Sequence, residues 1–144
     1  FLQKLYGPGA PSGYEPEARG QAPSVPLGPY GELLPAASLK LLKELDLREG
    51  DVFYDLGSGL GKLVLLAAAA TPALHCVGLE LSPSRLCAAQ TALARAQEQG
   101  LIEPGRCSFR CEDIFKAPLA DATVAFCCST AFADASLGHL VDRP

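Results

Sequence analysis

Residues 51 to 62 read Asp-Val-Phe-Tyr-Asp-Leu-Gly-Ser-Gly-Leu-Gly-Lys, and this stretch limits the possible folds more than the rest of the chain together. Val52, Phe53 and Tyr54 are β-branched or aromatic and stand between a turn (Glu49, Gly50, Asp51) and three alternating glycines, which predicts a buried strand. From residue 62 to 70 the chain is apolar almost all round, as a helix packed on a sheet would be, and Thr71-Pro72 stops it. The unit is therefore strand, glycine loop, helix. Gly57, Gly59 and Gly61 have no Cβ and tolerate positive φ, so the backbone can come close to a ligand, while the helix that follows offers unpaired N–H groups to acceptor atoms.

The remaining chain alternates in the same way. Residues 7–29 are crowded with proline and glycine and predict an irregular arm or linker. A helix is expected over 35–47, with Pro35 in its first turn and Leu39, Leu42 and Leu45 on one stripe. Strands are expected at 51–56, 75–81, 107–111 and 123–127, and further helices at 61–71, 83–99 and 134–141. Ser82 can cap the second of these helices, Pro83 can open it and Gly100 can close it. This order argues for an α/β fold with a doubly wound, mostly parallel sheet and right-handed crossovers. Ligands in such sheets bind beyond the carboxyl ends of the strands, where strand order reverses. The glycine loop, Glu80, Asp113 and Ser129 all fall at such ends.

With 144 residues, 49% of them hydrophobic, the chain has material for one domain and no room for two. A net charge of −4 excludes a large basic footprint for nucleic acid. No apolar run reaches the ~18 residues of a membrane span, and no signal peptide opens the chain, so an intracellular protein is expected. Met is absent and the chain stops soon after the fourth expected strand. The expectation is a C-terminally incomplete core at 30–144 behind an arm at 1–29. The six cysteines (Cys76, Cys87, Cys107, Cys111, Cys127, Cys128) form no CxxC pair and have only two histidines for company, so buried reduced thiols are expected and no metal. Neither His75 nor His139 falls at the crevice, and both are expected to be structural.

Spacing narrows the ligand. A dinucleotide fingerprint, Gly-x-Gly-x-x-Gly, needs its third glycine where this chain has Lys62. Here the pattern is Gly-x-Gly-x-Gly with Asp55 two residues ahead, which resembles motif I of the class I S-adenosylmethionine-dependent methyltransferases, whose fold is Rossmann-like. The resemblance implies a loop wrapped around the aminoacyl and ribose part of that cofactor. Glu80, at the tip of an apolar strand 25 residues after Asp55, is a carboxylate that can accept both ribose hydroxyl hydrogens. Asp113, in Arg-Cys-Glu-Asp-Ile-Phe, resembles the family residue that receives the adenine amino group, with Ile114 stacking on the base. Glu112 competes for that role by one position.

Upstream, Pro29-Tyr30-Gly31-Glu32-Leu33 precedes the first long helix, and together with motif I it resembles the disruptor-of-telomeric-silencing family, the non-SET histone H3 lysine methyltransferases. That resemblance implies cofactor-loop positions at Tyr30, Gly31, Glu32 and Leu33. It implies a cofactor-binding glycine loop from Phe53 to Lys62, including Asp55, Gly57, Ser58, Gly59 and Gly61. Where the family has Asn-Asn-Phe lining the target-lysine channel, this chain has Cys128-Ser129-Thr130 followed by Ala131-Phe132. Tyr30, Ser129 and Phe132 are the candidate catalytic positions. Ser129 and Thr130 can hydrogen-bond a substrate amine, and Tyr30, Tyr54 and Phe132 are candidate walls of a dry channel. Such walls would favour the neutral amine of a lysine, whose ordinary pKa is ~10.4. The expected activity is methyl transfer to a protein lysine of the histone H3 type, in the nucleus. The alternatives are a non-histone or small-molecule acceptor in the cytoplasm, or a non-catalytic module of the same fold.

Overall fold

The computed structural model of the protein describes residues 1–7 and 32–128, together with Gly138. In chain order the elements are α1 (Leu2–Tyr6), α2 (Pro35–Leu45), β1 (Val52–Leu56), α3 (Lys62–Ala70), β2 (His75–Leu79), α4 (Pro83–Glu98), β3 (Cys107–Arg110) and β4 (Val124–Cys127). All four strands run parallel, in the order β3-β2-β1-β4. Two crossovers step outward from β1, and β4 then returns to its opposite side. Strand order therefore reverses between β1 and β4, where the carboxyl ends leave a crevice.

Strand alternation divides the core. Phe53 joins Leu65 of α3, Ala92 of α4, Leu42 of α2 and Leu5 of α1 in the larger cluster, so the four helices lie on its face of the sheet. Tyr54, Leu56, Val77 and Leu79 point the other way and are covered by Ile114 and Ala117 from the connection between β3 and β4. Tyr54 is anchored there: its hydroxyl donates to Asp121 Oδ1 at 2.8 Å, accepts from Arg110 Nη2, and its ring lies under the Arg110 guanidinium. No helix among the described residues is long and apolar enough to cross a membrane.

The strands and helices expected between residues 35 and 127 are present, each shorter by one or two residues at an end, and several details differ. On α2 the buried residues are Ser38 and Leu42, while Leu39 is 53% exposed, because a 3.6-residue turn carries position 39 away from the stripe through 38, 42 and 45. Ser82 holds the N-cap position of α4 without a side-chain cap bond, its Oγ lying instead 3.0 Å from Ser84 Oγ. Cys76 and Cys107 are register partners, buried as expected, and burial pushes their thiols up to about 11 and about 12. Cys87 and Cys111 are exposed, against expectation, Cys111 because β3 ends before it. α1 falls inside the arm expected to be irregular. The expected helix over 134–141 lies outside the described residues except for Gly138, which is helical.

Gly78, in the middle of β2, is required by packing. A Cβ there would stand 2.5 Å from Phe109 Cδ1 and 2.7 Å from Ser58 Oγ. The Phe109 ring also occupies the space of a Cβ on Gly61, so the glycine loop rests on an aromatic wedge from β3. Overpacking of this kind costs about 1–3 kcal/mol. Gly78→Ala is expected to lower the unfolding free energy by that amount in urea titration, and to cost distinctly less in a Phe109→Ala background, where the clash with the ring is absent and only that with Ser58 Oγ remains.

Candidate functional site

The glycine loop is held by backbone bonds to the strand beside it. The N–H groups of Gly57 and Ser58 both donate to Leu79 O, at 2.9 and 2.8 Å, and Gly61 N donates to Ser58 O at 2.8 Å. Gly57, Gly59 and Gly61 all have positive φ (85°, 55° and 80°), a run that side-chain-bearing residues adopt only under strain. Gly61 is the N-cap of α3, so the helix begins where the loop ends.

Glu80, just beyond β2 and 6% exposed, closes the arrangement. Its Oε2 accepts from Gly59 N and its Oε1 from Ser82 N, each at 2.8 Å, and Arg85 Nη1 lies 3.9 Å from Oε1. A carboxylate offers about four acceptor directions, so two are used and others stay available for donors from a ligand. Asp55, at 5% exposure, is buried near the charge of Glu80. Burial, reinforced by the charge of Glu80, pushes its carboxyl up to about 7.

A small pocket, open to solvent, lies at the reversal point. Its walls include Asp55, Gly57, Ser58 and Gly59 from β1 and the loop, Lys62 from α3, and Glu32 with Leu33 from the segment before α2. Lys62 Nζ stands 2.6 Å from Glu32 Oε1, but off the hydrogen-bonding direction, since that buried oxygen has no hydrogen-bond partner. Ser58 Oγ is likewise buried without a hydrogen-bond partner. A pocket lined by two acids, one ammonium and unsatisfied oxygens suits a ligand that carries both signs of charge.

Of the residues expected at the site, the pocket thus gathers Glu32, Leu33, Asp55, Gly57, Ser58, Gly59 and Lys62. Glu80 stands behind Gly59, and Gly61 is the hinge to α3. Asp113 starts a turn after β3, its Oδ1 accepting from Phe115 N at 2.9 Å and its Oδ2 lying 3.5 Å from Lys116 Nζ. Ile114 packs into the smaller core cluster, and Phe53 is fully buried under the helices rather than in the pocket wall. Tyr54 is a correction: it was expected to wall the channel, but strand alternation puts it on the opposite sheet face from Asp55. Glu112 remains a neighbour of Arg110 at 3.8 Å. Tyr30, Gly31, Ser129, Thr130 and Phe132 lie outside the described residues.

The pocket also uses Ser38, Leu63, Phe126 and Cys128, which the sequence reading did not place at the cofactor. Phe126 reaches the pocket because β4 pairs with β1 so that Phe126 is the register partner of Asp55, a pairing no local sequence signal gives. Cys128, two residues on, returns to the same side by alternation.

Comparison with known proteins agrees with this geometry. The family described as "Histone methylation protein DOT1" matches residues 26–141. A Caenorhabditis elegans histone-lysine N-methyltransferase specific for H3 lysine 79 is 47% identical over 53 residues, 37% of this chain and 6% of its own length. A protein-lysine N-methyltransferase from Saccharolobus islandicus is 30% identical over 102 residues, 71% of this chain. The chain spans 58% of that archaeal relative and much less of the eukaryotic ones. Among solved structures, an RNA methyltransferase from Salinibacter ruber in complex with S-adenosyl-L-homocysteine superposes with a TM-score of 0.58 at 33% identity, covering 67% of this chain and 60% of that one. A S-adenosylmethionine-dependent methyltransferase from Geobacter sulfurreducens, again with S-adenosyl-L-homocysteine, gives 0.61 at 25% identity, covering 78% and 45%. The sheet is the Rossmann-like one of these methyltransferases, and the chain belongs to the DOT1 histone methylation protein family.

Proposed function

We propose that the protein is an S-adenosylmethionine-dependent methyltransferase acting on a lysine side chain of a protein, histone H3 being the first candidate. The observation that carries the reading is the pocket itself, in which Asp55, Glu32 and Lys62 meet at the foot of a glycine loop. The amino-acid end of the cofactor is a zwitterion. Its ammonium is matched by Asp55 and Glu32, its carboxylate by Lys62 and the start of α3. Glu80 takes the ribose hydroxyls through its remaining acceptor directions, and Asp113 takes the adenine amino group. By the family resemblance, Tyr30, Gly31 and Leu33 would serve the methionine end of the cofactor, and Ser129 and Phe132 the incoming amine.

S-Adenosylmethionine supplies a methyl group already activated on a sulfonium, so no protein nucleophile is needed. What remains for the chain is alignment of the two reactants at attack distance. The relatives named above as histone-lysine and protein-lysine methyltransferases support the acceptor class. One residue favours a second reading, a non-histone protein as acceptor: Cys128 lines the pocket where the resembling family carries the first Asn of its channel. A histone acceptor also implies a nuclear location.

Isothermal titration with S-adenosylhomocysteine is expected to give saturable heat with the full chain and none with Gly59→Arg, whose side chain would displace the Glu80 contact; a flat titration with the wild type refutes the cofactor. Asp55 sets the pH response. Its folded pKa of about 7 lies above its ordinary 3.8, so the apo fold is favoured most below the ordinary value and loses that contribution as pH rises through about 7. A ligand ammonium pairs with the ionised form, so affinity is expected to rise by about tenfold per unit below pH 7 and then to level off. Asp55→Asn should flatten the curve. Incubation with radiolabelled cofactor and either nucleosomes or a histone-depleted nuclear extract separates the acceptors, label on H3 supporting the first reading and label only in the extract the second.

A further inference from the structure

Tyr6 lies outside the segment that the family matches, 26–141, yet it touches the glycine loop. Its hydroxyl donates to Leu60 O at 2.6 Å across 54 positions of sequence. A five-residue helix has no stability of its own in water, so α1 must be held by its contacts. Those contacts are specific. Leu5 is fully buried in the larger core cluster, and its carbonyl accepts from Arg95 Nη1 of α4 at 2.8 Å. α1 is thereby fixed against the body of the domain, and Tyr6 against the loop.

The loop needs such a support at one end. Gly57, Ser58 and Gly59 are tied to β2 and Glu80 through their N–H groups, and Gly61 N to Ser58 O, whereas the Leu60 carbonyl is taken by Tyr6. The second half, Leu60 and Gly61, leads into Lys62. There the Lys62 ammonium stands 5.5 Å from the centroid of the Tyr6 ring and 2.6 Å from Glu32 Oε1, between an aromatic face and a carboxylate. Lysine has a long, freely rotating stem, and the ring and the acid together select one position for its charge.

We infer that, given the adenosyl-cofactor reading above, Tyr6 is a positioning residue for the amino-acid end of the cofactor. It fixes the Leu60 carbonyl and seats the Lys62 ammonium where the cofactor carboxylate arrives, from a helix that is not part of the family-matched segment.

Two ligands separate this role from plain stabilisation. S-Adenosylhomocysteine carries the amino-acid end; 5′-methylthioadenosine keeps the nucleoside and lacks it. Titrated against the full chain, Tyr6→Leu is expected to weaken S-adenosylhomocysteine by about tenfold and to leave 5′-methylthioadenosine within about twofold, since one ring-and-hydroxyl contact is worth roughly a factor of ten. Tyr6→Phe, which keeps the ring, is expected to lose less than Tyr6→Leu. In a Lys62→Met background the selective loss should vanish. Equal weakening of both ligands, or unchanged affinities with only a lower melting temperature, would overturn the inference. Wild-type chain that binds neither ligand would sink the cofactor reading first, a distinct outcome, and this role with it.

Discussion

The Glu80 carboxylate joins the parts of the site. By accepting from Gly59 N and Ser82 N it ties the glycine loop of β1 to the opening of α4, two segments that otherwise only approach one another. A charged acceptor on two backbone donors is among the stronger hydrogen-bonding arrangements, and this one is almost wholly removed from water. Three successive positive-φ glycines make a loop with many accessible shapes. Glu80 and the Leu79 carbonyl select one of them. The loop geometry is therefore a property of β2 as much as of β1, and the Phe109 wedge from β3 adds a third strand to the same support.

The same acid creates the tension at the centre of the site. Glu80 has donors to satisfy it, but Asp55 is buried beside that charge and is held toward its neutral form. A buried carboxyl with a folded pKa of about 7 costs little while protonated and becomes unfavourable once ionised without a partner. The fold thus carries a local charge deficit near neutral pH. A cation in the pocket would relieve it.

Much of this was legible in the sequence because it depends on short-range rules. The run from Val52 to Lys62 names a strand, a glycine loop and a helix by residue type alone, and Asp55, Glu80 and the loop glycines fell at strand ends as topology requires. What stayed hidden depends on pairing between distant segments. The face of Tyr54 follows from alternation, but which face carries the pocket becomes known only when β4 is placed beside β1. The exposure of Leu39 turned on a single residue of helical phase. α1 is too short for periodicity to reveal, and its docking rests on Arg95 and Leu60, 90 and 54 positions away.

Alternation along β4 also divides its residues between two environments. Phe126 and Cys128 face the pocket while Cys127 turns to the smaller core cluster, so adjacent positions answer to different constraints. Cys127 is confined by packing against neighbours such as Leu56. Cys128 borders the open crevice. The glycine loop and Glu80 are joined by a backbone donor on a buried carboxylate, and Asp55 is buried beside them.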